Sequence, residues 1–397
     1  MKGVRLFLYS HHLFGVYSMP LSPDFLSYFT DLEDPRVADR NRRHRLDDIF
    51  AITILATICG ADNWVEIVEF ADAREDWLGE FLELPHGIPS HDTLGRVFSL
   101  LDAHTFEKCF TNWAHSLPMI IEGQMRRDVI AIDGKTSRGS HNRNKGQRPL
   151  HLVSAWASDQ GLVLGQVATK QKSNEIEAIP RLLNMISVEN SIVTIDAMGC
   201  QKDIATQIKR QKADYILSLK DNHPSLAWLA KKVIKTAEDK TFEGTPYLRQ
   251  IEKVKDHGRQ ETRRYTLLSC NKYILTRAQW PGLQSIGMVE VKRTVNYETT
   301  RSVRYFVTSL TYRQMDEFMR GVRNHWHIEI NLHWSLDVSF ADDHNRSRIG
   351  NAQENLSIMK RIALNMISKD KSSKVGIKAK RKKAGWSNDY LKKIISQ

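Results

Sequence analysis

Cysteine is scarce in this sequence. Cys59, Cys109, Cys200 and Cys270 stand far apart, with no C-x-x-C pair and no Cys/His cluster at zinc-finger spacing. This excludes a disulfide scaffold and a structural zinc site, and it fits a reduced, cytosolic chain. Nowhere do about 18 apolar residues run together, so no membrane-spanning helix is expected. The segment Lys2 to Tyr9 is broken by Ser10-His11-His12 before it reaches signal-peptide length. Internal repeats are lacking too. Acidic charge is in deficit: 46 Asp+Glu face 58 Lys+Arg, a formal +12, which suggests a polyanionic partner, nucleic acid rather than membrane. With 41% hydrophobic and 26% charged residues the composition is globular, and 397 residues suggest two or three domains.

Met19-Pro20-Leu21-Ser22 opens the first well-patterned segment, so residues 1–18 read as a disordered leader. Residues 19–125 form a helical N-terminal domain, with apolar residues at helical spacing from Asp47, through Trp64 to Leu84, and again from Thr93 to Trp113. Between the last two lies Pro85-His86-Gly87-Ile88-Pro89-Ser90-His91-Asp92-Thr93, where Pro and Gly stop one helix and Ser90 or Asp92 caps the next. The pattern is compatible with a helix-turn-helix presenting His91, Thr93 and Arg96 to DNA, and equally with an ordinary helical bundle. From 126 to 368 the pattern is α/β. Strand-like runs end in Asp133 and Asp196, further strands cover Leu150 to Ser158, Gly161 to Thr169 and Tyr215 to Leu219, and helices intervene. A β-rich insertion occupies about 241–310, followed by helices from Met315 to Trp334 and from Asn351 to Ser368. Residues 369–397 form a basic C-terminal tail, read as a solvated disordered segment, a nonspecific DNA arm, or both.

The chemistry turns on carboxylates. DNA phosphoryl transfer needs no protein nucleophile when two hard cations stabilise the attacking and leaving oxygens. Asp133 and Asp196 each end an apolar strand and precede a small residue, Gly134 or Ala197. One such aspartate is a turn or helix cap; two, with Glu329 on a later aromatic-rich helix, make a ligand set for two Mg²⁺ ions, with Mn²⁺ as the alternative. Asp337, Asp342 and Asp343 compete with Glu329 as third ligand. Lys135 and Arg138 beside Asp133, and Lys220 with Asn222 beyond the Tyr215 strand, are read as phosphate contacts or as solvated loop charges. Trp326 and Trp334 are base-stacking platforms or, on helical periodicity, core residues.

Three blocks carry a resemblance: Ala131-Ile132-Asp133-Gly134-Lys135-Thr136; Thr194-Ile195-Asp196-Ala197-Met198-Gly199-Cys200-Gln201; and His325-Trp326-His327-Ile328-Glu329 with Leu332-His333-Trp334-Ser335-Leu336-Asp337-Val338. In this order they resemble the H-repeat-associated insertion-sequence transposases, of the DDE superfamily. Asp34-Pro35-Arg36, His44, Gly60-Ala61 and Gly87 to Thr93 extend the likeness to the helical region, so that it spans roughly Leu21 to Ile367. It implies an RNase H-like catalytic core interrupted by a β insertion before its last acidic helix. The interval from Asp196 to Glu329 is indeed about twice that from Asp133 to Asp196.

The resemblance implies a DNA transposase acting on terminal inverted repeats and target double-stranded DNA, as a homo-oligomer on paired ends, with Asp133, Asp196 and Glu329 as catalytic metal ligands. Where many related transposases carry Tyr, Arg and Lys around the glutamate, this chain has Val322, His325 and Leu336. His325 is accordingly read as a DNA contact or a structural histidine. Ile330 stands where a polar residue is expected beside a hydrated metal site, which keeps a catalytically decayed DNA-binding protein as one alternative. An RNase H-fold metal nuclease without strand transfer is the other.

Overall fold

The computed structural model describes residues 23–37, 42–117, 127–141, 148–169, 174–220, 222–256 and 259–396. The expected leader lies outside the described residues. The first helices are α1 (Pro23–Ser27), α2 (Leu46–Cys59), α3 (Trp64–Asp72), α4 (Glu75–Gly79), α5 (His91–Leu100) and α6 (Ala103–Ser116). The expected helix from Trp64 to Leu84 is thus two shorter ones. Local chemistry sets the starts: Asn63 accepts from Glu66 N while Glu66 accepts from Asp62 N, Ser90 accepts from Thr93 N, and Asp102 accepts from Thr105 N. Ser90, not Asp92, is therefore the cap of α5. Helix α2 is buried from Asp48 to Ile58 and forms the centre of the bundle.

The α/β region holds β1 (Val129–Thr136), β2 (His151–Ala157), β3 (Leu162–Thr169), α7 (Glu175–Met185), β4 (Ile192–Ile195), α8 (Lys202–Arg210), β5 (Asp214–Leu219) and α9 (Pro224–Asp239). The insertion adds β6 (Tyr247–Asp256), β7 (Arg259–Ser269), α10 (Lys272–Ala278), β8 (Ser285–Val295) and β9 (Glu298–Thr308). The nine strands among the described residues make one sheet in the order β3-β2-β1-β4-β5-β9-β8-β7-β6. Strands β1, β4 and β5 are parallel, β2 runs antiparallel beside β1 and β3 antiparallel beside β2, as in an RNase H-like core. The short β4, Ile-Val-Thr-Ile, is wholly buried, as a central parallel strand covered on both faces must be. The insertion prolongs this sheet through the β5–β9 ladder.

The chain then enters α11 (Met315–His327), a π-helical stretch (Ile328–His333) and α12 (Trp334–Ser339), followed by α13 (Ala352–Lys369), α14 (Ile377–Trp386) and α15 (Asn388–Ile395). The last two helices correct the reading of residues 369–397 as a solvated tail. Lys380 and Arg381 are buried, and Arg381 donates to Thr57 O, Ala61 O and Asp62 Oδ1 of the first bundle. Leu356, Ile362, Leu391 and Ile394 join the same core as Ile52, Phe98 and Phe106. The bundle is thus closed by the C-terminal helices, and 368 is not a domain boundary. Among the described residues no single helix is long and apolar enough to cross a membrane; α2 and α3 pass that test only as a pair bent by 96°.

Candidate active site

The two aspartates meet because their strands do. Ile132 on β1 pairs with Ile195 on the parallel β4; β4 ends there, while β1 runs on through Asp133, which pairs with Ser154 of β2, to Thr136, so Asp133 and Asp196 come side by side at the carboxyl end of β4, where α/β sheets place their ligands. Two glycines make the arrangement possible. A Cβ on Gly134 would lie 2.4 Å from Glu175 Oε1 and 2.6 Å from His151 Nε2, a buried pair bonded at 2.7 Å beneath β1. A Cβ on Gly321 would lie 2.4 Å from Ile216 Cδ1, so glycine here lets α11 pack closely on β4 and β5, with Glu329 just beyond its end.

Asp133, Asp196 and Glu329 line one cavity of about 280 Å³, with Thr194, Lys220, Arg304, His325 and Trp326 among its walls. Asp133 and Glu329 come close, and His333 joins them: one donor atom from each of the three lies within 4.8 Å of the others. Asp196 stands outside that tight group. Its Oδ1 accepts from Met198 N at 2.9 Å and Gly199 N at 3.3 Å, so it is a turn residue as well as a wall of the cavity. Burial and the facing Glu329 push the Asp133 carboxyl up to about 8. Glu329, more exposed, is held down to about 2 by the hydrogen bond with His333. Of this pair Asp133 keeps the proton, because it is the more deeply buried; a cation between them would relieve the repulsion. The carboxylate donors are of the kind hard divalent cations take, and they converge on a cavity, so the residues present fit such an ion.

Glu329 sits in the π-helical stretch, a geometry frequent at functional sites. Trp334, expected on the apolar side, is 58% exposed. Trp326 is 50% exposed at the cavity, with the Arg304 guanidinium 5.6 Å from its ring centroid. The core reading of both tryptophans is therefore overturned. Ile330 is also exposed and does not line the cavity, so it displaces no ligand there. His325, half-buried, meets Thr194 Oγ1 at 3.2 Å and is held down to about 4 by burial.

Other sequence-based site residues fare differently. Lys220 lines the cavity with the acids. Lys135 is not open to phosphate: its ammonium is enclosed by Asp337 at 2.7 Å, Asp343 at 3.3 Å and Asp342 at 3.6 Å. Asp337, Asp342 and Asp343, the other candidates for a third ligand, are thus paired with that lysine, and none of them lines the cavity with Asp133 and Asp196. Asn222 donates to Ala197 O and so steadies the turn after Asp196. Arg138 reaches into solvent while its backbone N–H donates to Asp343. His91 and Arg96 face a different, larger cavity of about 890 Å³, walled opposite by Arg346 and Arg348. Thr93 turns its hydroxyl toward Ser90 Oγ at 3.1 Å. Two site residues escape a reading of the sequence alone. His333 was detectable as the residue four beyond Glu329; Arg304, on an alternating strand of the insertion, carried no signal.

Among protein families, the one described as Transposase DDE domain matches residues 124–366, and the one described as DDE_Tnp_1-associated matches 26–114. A putative transposase YncI of Escherichia coli O157:H7 is 38% identical over 377 residues, 94% of each chain. The H repeat-associated putative transposase YhhI of Escherichia coli K12 is 36% identical over 358 residues, 89% of this chain and 93% of that one. Among solved structures, the piggyBac transposase synaptic complex with hairpin DNA aligns over 94% of this chain and 79% of its own, at 9% identity and a TM-score of 0.42.

Proposed function

Because this chain belongs to the transposase family defined by the DDE domain, we propose that it is an insertion-sequence transposase that cleaves DNA and joins the freed end to a target by in-line phosphoryl transfer. The observation that carries this reading is the convergence of Asp133, Asp196 and Glu329 on one cavity. Asp133, Asp196 and Glu329 would hold two Mg²⁺, or Mn²⁺ in their place. Bound there, the cations supply activation of the attacking oxygen and stabilisation of the departing one. The rest falls to the chain itself. Lys220 and Arg304 hold phosphate oxygens against the cavity wall, Arg138 contacts the backbone from its exposed position, and His325 contacts DNA within the cavity. Trp326, backed by Arg304, offers a face for an unstacked base. His91, Thr93 and Arg96 belong to the helical module that recognises the terminal repeats. The protein works as a homo-oligomer on paired ends, in the bacterial cytoplasm.

The test uses double-stranded DNA carrying the element's own terminal repeats, a target plasmid, and Mg²⁺ or EDTA. Cutting and joining in Mg²⁺ alone supports the reading. Cutting without joining would make the protein a metal nuclease, and binding without cutting in any metal would make it a decayed DNA-binding protein.

A further inference from the structure

We propose that His333 is itself a metal ligand, so that the cation held between Asp133 and Glu329 has an imidazole nitrogen among its donors. This rests on the metal-dependent reading above and extends it to a residue outside the three acids. His333 Nδ1 lies 3.3 Å from Glu329 Oε2 and 3.6 Å from Asp133 Oδ2. Donors about 2.0–2.2 Å from a shared ion stand roughly 3.0–3.5 Å apart along a coordination edge. Two of the three edges are thus already close to what one ion requires, and one donor atom from each of the three side chains lies within 4.8 Å of the others.

The setting of the ring points the same way. The His333 side chain is 7% exposed, and the neighbouring Leu332 and Leu336 anchor this stretch in the core. Nε2 is buried and has no hydrogen-bond partner among the described residues. Here the polar contacts of the ring are all directed, through Nδ1, at the two carboxylates. The π-helical stretch contains both Glu329 and His333 and presents them to Asp133 together.

An imidazole donor weights a site toward transition metals over Mg²⁺, which prefers oxygen. Mn²⁺ should therefore bind the full-length protein, without DNA, more tightly than Mg²⁺, and His333→Gln should narrow that gap by roughly ten-fold or more. The deciding readout is pulsed electron paramagnetic resonance of bound Mn²⁺. Directly bonded imidazole nitrogen should modulate the wild-type echo, change character when histidine is labelled with ¹⁵N, persist in His325→Gln and vanish in His333→Gln. If His333→Gln does not fold, the labelled wild type and His325→Gln still decide. Mn²⁺ bound without nitrogen coupling, or coupling that survives in His333→Gln or disappears in His325→Gln, overturns the proposal alone. No Mn²⁺ bound at all overturns it together with the metal-dependent reading.

Discussion

Lys135 Nζ lies 2.7 Å from Asp337 Oδ1, which ties β1 just beyond Asp133 to the helix that comes after Glu329. Burial opposes the ammonium charge, yet Asp342, Asp337 and Asp343 together hold Lys135 above its ordinary value. Removing one member of such a buried group leaves uncompensated charge, at a cost of about 3–5 kcal/mol. Lys135→Met should lower stability by about that much in denaturant unfolding. Lys135→Met combined with Asp337→Leu should recover part of the loss, a non-additivity that a double-mutant cycle measures.

Gly321→Ala places a methyl 2.4 Å from Ile216 Cδ1 and should force α11 off β4 and β5. The expected cost is about 1–3 kcal/mol of stability, with a loss of DNA cleavage larger than any loss of DNA binding. Adding Ile216→Val deletes the clashing atom, so melting temperature and cleavage should both recover in part.

Glu107 on α6 is buried without a partner for Oε1 and is pushed up to about 9, first by burial and then by Glu354. The folded chain therefore holds this proton where the unfolded chain has released it. The resulting stability is full below about pH 4.5 and falls away as pH rises toward 9. Glu107→Gln should be more stable than the wild type at pH 8, by on the order of 1–3 kcal/mol, and the difference should shrink toward pH 5. Thermal melting of both proteins across this range checks the sign.

Arg381 donates to Thr57 O, Ala61 O and Asp62 and lies 4.1 Å from the Phe340 ring centroid. Arg381→Ala should cost about 3–5 kcal/mol in chemical denaturation, where an arginine on a solvated arm would cost almost nothing.

Much of the site was legible because its signals are local. The β-branched runs that lead into Asp133 and Asp196 mark strands, although β1 continues past Asp133 to Thr136, and their parallel pairing brings the acids side by side. What escaped depends on distant or irregular geometry. The aspartates around Lys135 lie some 200 residues along the chain, so proximity in sequence made it look like a free phosphate contact. Trp334 follows Phe318 by sixteen residues, which on a helix of about 100° per residue puts it on the opposite face, so its exposure shows that the core reading misjudged the periodicity. Composition marks 369–383 as basic but cannot tell that Lys380 and Arg381 turn inward to carbonyl partners.

Asp133, Asp196 and Glu329 are proposed to act as one unit, and everything else in the mechanism depends on it. This is tested most directly by Mg²⁺-dependent cleavage rates on terminal-repeat DNA for Asp133→Asn, Asp196→Asn, Glu329→Gln and the triple variant, with folding checked by melting. Each single variant should lose about 10³-fold or more, and the triple should lose little beyond the worst single. A single variant that cleaves at the wild-type rate, or losses that multiply from singles to triple, would contradict it.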